Sequence, residues 1–199
     1  MAKKNIDAIQ EELINNPNLN SEQVDVISKL INNSYYNMDS VKYLMYYDAD
    51  QLKVIELAAK EFNNDAEKMK YVMGVIDIDS INVTELNATQ MYLKFIAIKN
   101  DIDTDIIDRI IDASIPYACS KYVLDAYLDG YDLTDYIHYD PAQLYEIYSG
   151  AIDGINYKEY ADQDIDAEIM GLIRHAMTLG FTCDYDCDTG DIALFKLKK

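Results

Sequence analysis

Hydrophobic residues along this chain recur at intervals of three and four, with polar positions between them. That spacing predicts a series of helices, each with one apolar stripe to bury. The pattern is clearest over residues 119–182, where one order comes round three times: Val123-x-x-Ala126-x-x-x-Gly130-Tyr131, Ile147-x-x-Gly150-x-x-x-Gly154-Ile155 and Ile173-x-x-Ala176-x-x-x-Gly180-Phe181. In each, a hydrophobe leads to a small residue and then to a glycine that can close the helix in the left-handed conformation. The closing glycines lie 24 and 26 residues apart, a period expected of stacked helical repeats.

The pattern extends backward. Gln143-Leu144…Ile147…Gly150 is its fullest form, and Gln23-Val24…Ile27…Leu30, Gln51-Leu52…Ile55…Ala58 and Gln90-Met91…Lys94…Ala97 follow it, with one departure each in the first (Leu30) and third (Lys94). Cys119-Ser120…Val123…Ala126 and Ile169-Met170…Ile173…Ala176 lack the glutamine but keep the later spacing. The heads at 23, 51, 90, 119, 143 and 169 are separated by 28, 39, 29, 24 and 26 residues. The step of 39 leaves room for an inserted helix over 65–73. Short helices are expected over 132–137 and 156–160, and helix starts near Asn5, Asn20, Asp39, Asn87 and Asp140, with Pro141 at a first helical position. Residues 1–16 read as a capping helix broken at Asn15-Asn16-Pro17. The segments 182–186 and 192–197 flank Asp188-Thr189-Gly190, a hairpin turn. The expected fold is all-α: a stack of about six short helical-repeat units (helix pairs), with an N-terminal capping helix and a small C-terminal β-hairpin at 182–198.

Composition changes little in this picture. Half of the 199 residues are hydrophobic and only 3 are Pro and 7 Gly, which argues against disorder. No apolar run approaches the roughly 18 residues that span a bilayer, and Met1-Ala2-Lys3-Lys4 is too short for a targeting signal. The expectation is a soluble protein of a bacterial cytoplasm. Cys119, Cys183 and Cys187 are too few and too scattered for a disulfide framework and read as reduced thiols.

Charge adds more. The chain carries 17 Lys and Arg against 36 Asp and Glu, net −19, and the imbalance is uneven. Residues 1–100 hold 10 basic and 15 acidic side chains, whereas residues 101–199 hold 7 and 21. With a hinge at 76–86, this shift divides the chain into an N-terminal helical domain, 1–84, and an acidic repeat domain, 85–199. A surface of that sign repels nucleic acid and anionic membranes and attracts a basic partner.

The segment Gln143-Leu144…Ile147…Gly150…Gly154-Ile155, with Tyr160-Ala161-Asp162 and Glu168–Ile173 after it, resembles short helical repeats of mobile-element and phage proteins of Gram-positive gut bacteria. The likeness covers about residues 116–182. It implies an all-helical stack and a mobile-element setting, and offers no catalytic residue to carry over. A composition rich in Ile, Asn, Lys, Tyr and Asp, without Trp, fits an AT-rich bacterial or phage genome.

The motifs that carry chemistry are weak. Asp184-x-Asp186-x-Asp188-x-Gly190 has its glycine at the seventh place and Phe195 at the twelfth, where a calcium loop needs glycine sixth and glutamate twelfth. Alternating exposed aspartates on a hairpin explain it better. Cys183-x-x-x-Cys187 lacks a second ligand pair for zinc. His138, near Asp135 and Asp140, reads first as a surface histidine and second as part of a charge pair or weak metal site, and His175, beside Arg174, has no nucleophile in place. No phosphate loop or serine elbow is present. The expectation is a protein that is not an enzyme, with no catalytic residue, no cofactor and no metal. Of the 18 tyrosines, Tyr43, Tyr46, Tyr47, Tyr71, Tyr92, Tyr122, Tyr127, Tyr145 and Tyr148 fall at helical spacing. They read first as core edges with wetted hydroxyls, and second as protein-binding anchors.

The acids remain. Asp outnumbers Glu by 26 to 10, although Glu is the better helix former. Asp101, Asp103, Asp105, Asp108 and Asp112 spread over one helix start. Asp125, Asp129, Asp132 and Asp135 follow on the next unit, then Asp153, Asp162, Asp164 and Asp166, then Asp184, Asp186 and Asp188. Capping and solvated faces account for many of them. As a set they are the expected partner-binding surface, with short carboxylates repeating like the phosphates of a nucleic-acid strand. The leading expectation is a phage or mobile-element protein that inhibits a basic nucleic-acid-binding defence effector, of the anti-CRISPR or anti-restriction type, by nucleic-acid mimicry. In size and charge the chain is similar to known nucleic-acid-mimic inhibitors. The alternatives are a repeat adaptor holding a peptide in a tyrosine-lined groove and a metal-binding module. Homodimerisation stays open.

Overall fold

The computed structural model describes residues 8, 10–33, 43–63, 65–74, 85–186 and 191–196. It is predominantly helical. The chain divides into two compact units, Met1–Thr104 and Asp105–Lys199. The expected starts at Asn5 and Asp39, most of the hinge at 76–86 and the turn at 188–190 lie outside the described residues.

In the first unit, α1 (Ser21–Asn32), α2 (Ala49–Glu61), α3 (Ala66–Met73) and α4 (Ala88–Lys99) form the packed set. Helix α2 packs on α1, α3 and α4, and α3 also packs on α4. The core includes Ile27, Leu30, Leu52, Ile55, Val72 and Met91. Helix α3 fills the long step between the second and third heads. It starts at an Asp65 cap and closes on Gly74, whose φ is +65°. Helix α4 buries most of its surface, including Leu93, Phe95 and Ile98, and leaves Thr89, Tyr92 and Lys99 exposed along one face. The compact units divide after Thr104, whereas the charge shift and the 76–86 segment led to an expected boundary near 84; α4 packs on α2 and α3.

In the second unit, α5 (Thr104–Ile110), α6 (Tyr117–Leu128), α7 (Pro141–Ile152) and α8 (Ala167–Thr178) are followed by β1 (Phe181–Asp186) and β2 (Asp191–Lys196). Helix α7 lies between α6 and α8, and α8 packs against β1. The strands pair antiparallel, with Cys183 opposite Leu194. The segments at 132–137 and 156–160 shorten to single 3-10 turns, Thr134–Tyr136 and Tyr157–Glu159. A segment of five or six residues cannot repay the cost of nucleating an α-helix. Leu133, Leu144, Ile147, Ile165 and Met170 fill the core between them.

The repeated small residue and glycine have separate tasks. Gly130, Gly154 and Gly180 have φ of +89°, +71° and +83°. At the first two, the next residue's amide reaches back to the helix: Tyr131 donates to the Ala126 carbonyl and Ile155 to that of Gly150, both at 2.8 Å. This is the Schellman closure. Gly150 instead makes room: a Cβ there would lie 1.8 Å from the Tyr160 hydroxyl, which donates to the Glu146 carbonyl at 3.0 Å.

Candidate interaction surface

The glutamine that heads four of the repeats completes a helix cap, and at three of them it also fastens a second helix. Gln23, Gln51, Gln90 and Gln143 each sit at the third position of their helix and complete a capping box with Asn20, Asp48, Asn87 and Asp140. The carbonyl oxygen of the glutamine thereby accepts from the cap residue's amide, which leaves its amide nitrogen to point away. The Gln23 Nε2 donates to the Tyr47 carbonyl and that of Gln51 to the Leu86 carbonyl, both at 2.8 Å. The Gln143 Nε2 donates to Ile165 at 2.7 Å and to Gln163 at 3.0 Å. Tyr47, Leu86 and Ile165 are the residues just before the caps of α2, α4 and α8. Gln23, Gln51 and Gln143 thus each tie the start of their own helix to the start of another. In α6 the same place is held by Cys119, whose Sγ donates to the Tyr139 carbonyl, just before the cap of α7, at 3.5 Å. Burial, and then Asp140, push the Cys119 thiol up, so it stays a donor.

A second set of ties uses the acids. Tyr148 on α7 donates to Asp129 at the end of α6, and burial followed by that bond pushes its phenol up to about 12. One unit on, Arg174 of α8 donates to Asp153 at the end of α7 at 2.7 Å and to Glu146 at 2.9 Å. With side-chain exposures of 24% for Arg174 and 15% for Glu146, the latter pair is screened little by solvent.

The acids expected to bind a partner therefore divide by task. Asp129 and Asp153 hold helices together, and Asp125 pairs with Lys121 on its own helix. Asp132 accepts from the Thr134 hydroxyl at 2.7 Å and from its amide at 3.0 Å. Those bonds, hydroxyl first, hold its carboxyl below the usual range. Asp112 and Asp162 close comparable turns, accepting from the amides of Ser114 at 2.9 Å and Asp164 at 3.0 Å. Asp135 takes a 3.0 Å bond from Arg109. Asp101 stands where the three later copies have glycine, at φ +55°, and the Ile102 amide closes on the Ala97 carbonyl at 3.1 Å behind it. Asp103, Asp105 and Asp108 are exposed around the start of α5, and Asp164 and Asp166 before α8. Asp184 and Asp186 lie on β1, and Asp188 is outside the described residues.

The tyrosines also divide. Tyr47 is buried and donates to the Met73 carbonyl at 3.1 Å, and burial pushes its phenol up to about 12. Tyr71 donates to the Thr104 carbonyl at 3.0 Å. Tyr46, Tyr92 and Tyr145 are exposed, and Tyr145 meets the Tyr122 ring edge-on at 6.1 Å. Another group, absent from the helical spacing, gathers on the short turns. The Tyr136 ring lies 5.3 Å from Tyr139 and 5.8 Å from Tyr157, edge-on to both. Only distance in the chain hid it, since these residues belong to two different turns. Tyrosines and acids share this edge of the second unit and do not occupy separate faces.

Among the described residues no group of three or more His, Cys, Asp or Glu side chains is placed to hold a metal ion, and no helix is long and apolar enough to cross a membrane. Cys119 and Cys183 are free thiols. His138 and His175 are exposed, on different elements. No protein-family model, curated protein or solved structure matches the chain.

Proposed function

We propose that this protein is a non-catalytic interaction protein whose acidic second unit binds a basic, nucleic-acid-binding protein and occupies the surface that would hold its nucleic acid. The observation that carries this reading is the charge left over after the internal ties are made. Residues 105–199 hold 19 acidic and 7 basic side chains, net −12. Arg109, Lys121 and Arg174 are each committed to a carboxylate of the same unit. Among the described residues of this unit, acids such as Asp162, Asp164 and Asp166 face solvent, on the three repeats that the β-hairpin closes, and they form a field that draws in a cationic surface. The finer setting follows from the resemblance of residues 116–182: a phage or mobile-element product in a bacterial cytoplasm, directed at CRISPR or restriction nucleases.

The test is inhibition of DNA cleavage by a panel of such nucleases, with binding measured against salt and against competing duplex. Inhibition that duplex relieves, with affinity falling at least about tenfold between 50 and 200 mM salt, supports the reading. Affinity that ignores salt, or a complex that still admits the nucleic acid, overturns it.

A further inference from the structure

Within that reading, we propose that the tyrosine cluster Tyr136, Tyr139 and Tyr157, rimmed by Asp132, Asp135 and Asp162, is the anchoring point for an arginine side chain of the basic partner. Three half-buried aromatic rings meet edge to face at 5.3 and 5.8 Å on two turns that carry the unit's turn-closing carboxylates. The Tyr139 hydroxyl donates to the Ala161 carbonyl at 3.0 Å, which fixes its ring, and all three rings stay partly exposed. A carboxylate lies close to each ring. Burial first, and then Asp135, raises the Tyr136 phenol; burial and then Asp162 raises that of Tyr139. Asp132 acts on Tyr157 in the same direction, after burial and Tyr136.

The pattern selects its occupant. Anionic ligands, nucleic acid and acidic membranes among them, are repelled by the rim. A lysine ammonium is a strongly hydrated point charge. A planar guanidinium stacks on a tyrosine ring and bonds a carboxylate at its edge at the same time. The molecule already holds one guanidinium here: Arg109 Nη2 donates to Asp135 at 3.0 Å, and its charge helps to lower Asp132.

The experiment titrates fluorescein-labelled nona-arginine and nona-lysine peptides with the full chain, followed by anisotropy. The expected result is a preference of roughly tenfold for arginine. Tyr136→Leu with Tyr157→Leu keeps the apolar bulk and removes that preference, whereas Tyr136→Phe with Tyr157→Phe retains it. Asp135→Asn with Asp162→Asn weakens both peptides. Thermal melts confirm that each variant folds. Equal affinity of the two peptides for the parent chain overturns this inference and leaves the charge reading standing. So does a preference that survives the leucine pair. Absence of salt-sensitive binding to either peptide overturns both.

Discussion

Asp101 and Gly150 show how one side chain can be read wrongly or rightly from its neighbours. An aspartate in the left-handed region looks, in sequence, like any other surface acid, because Asp tolerates that conformation better than most residues. Its φ of +55° marks it as a helix stop. Asp101→Gly should therefore raise stability by about 0.5–1 kcal/mol, read from urea unfolding. Gly150→Ala should lower it by about 2 kcal/mol, since the new methyl meets the Tyr160 hydroxyl, and Tyr160→Phe should recover part of the loss. The role of Gly150 was half legible: its smallness was plain, but the residue it accommodates, Tyr160, belongs to the next turn. Ser120 is the inverse case. Its hydroxyl is buried with no partner among the described residues, so Ser120→Ala should be neutral or stabilising by up to about 1 kcal/mol. A larger loss in the same unfolding assay would show that the hydroxyl has a task.

At the level of elements, glutamine spacing revealed where the helices start but not why the residue is glutamine. A capping box explains the carbonyl end, and the amide end needed the fold. Replacing Gln143 by Leu removes the box and strands two carbonyls. A cost of about 2–3 kcal/mol is expected, against about 1 kcal/mol for Cys119→Ala, whose sulfur makes a single weak bond. The closures carry a pH signature as well. Asp132 has a folded pKa below its unfolded one, so its contribution is present above the unfolded value and disappears as pH falls through the folded one. The phenols of Tyr47 and Tyr148, raised from 10.0 to about 12, behave in the opposite sense. Their contribution is complete below pH 10 and is lost as pH climbs through 12. Circular dichroism across that alkaline window should show stability declining, and Tyr148→Phe should flatten the decline. The short turns were read as helices because capping residues look alike ahead of three residues or twelve.

For the whole molecule, −19 is a mechanical load as well as a signal. Added salt should raise the melting temperature between about 10 and 150 mM, as the Debye length falls from about 30 to 8 Å and self-repulsion is screened. A fall over that range would mean that the internal ion pairs, not the excess acids, dominate. Charge counting did locate this load, in the second half. The compact units divide after Thr104, beyond the boundary expected near 84, and α4 packs on α2 and α3 of the first unit, a contact that a count of charge does not record.

The glutamine ties also bear on how such a chain could change length over generations. Two helices show both halves of the fastener, a backbone carbonyl just ahead of the cap and a side-chain donor just behind it: α2, with the Tyr47 carbonyl and Gln51, and α7, with the Tyr139 carbonyl and Gln143. A duplicated unit spliced into the interior would arrive with its own plug and socket, so the series can lengthen or shorten without redesign of its neighbours. The final helix has Ile169 where the donor would be and passes to a strand. Growth is therefore open in the middle and closed at that end.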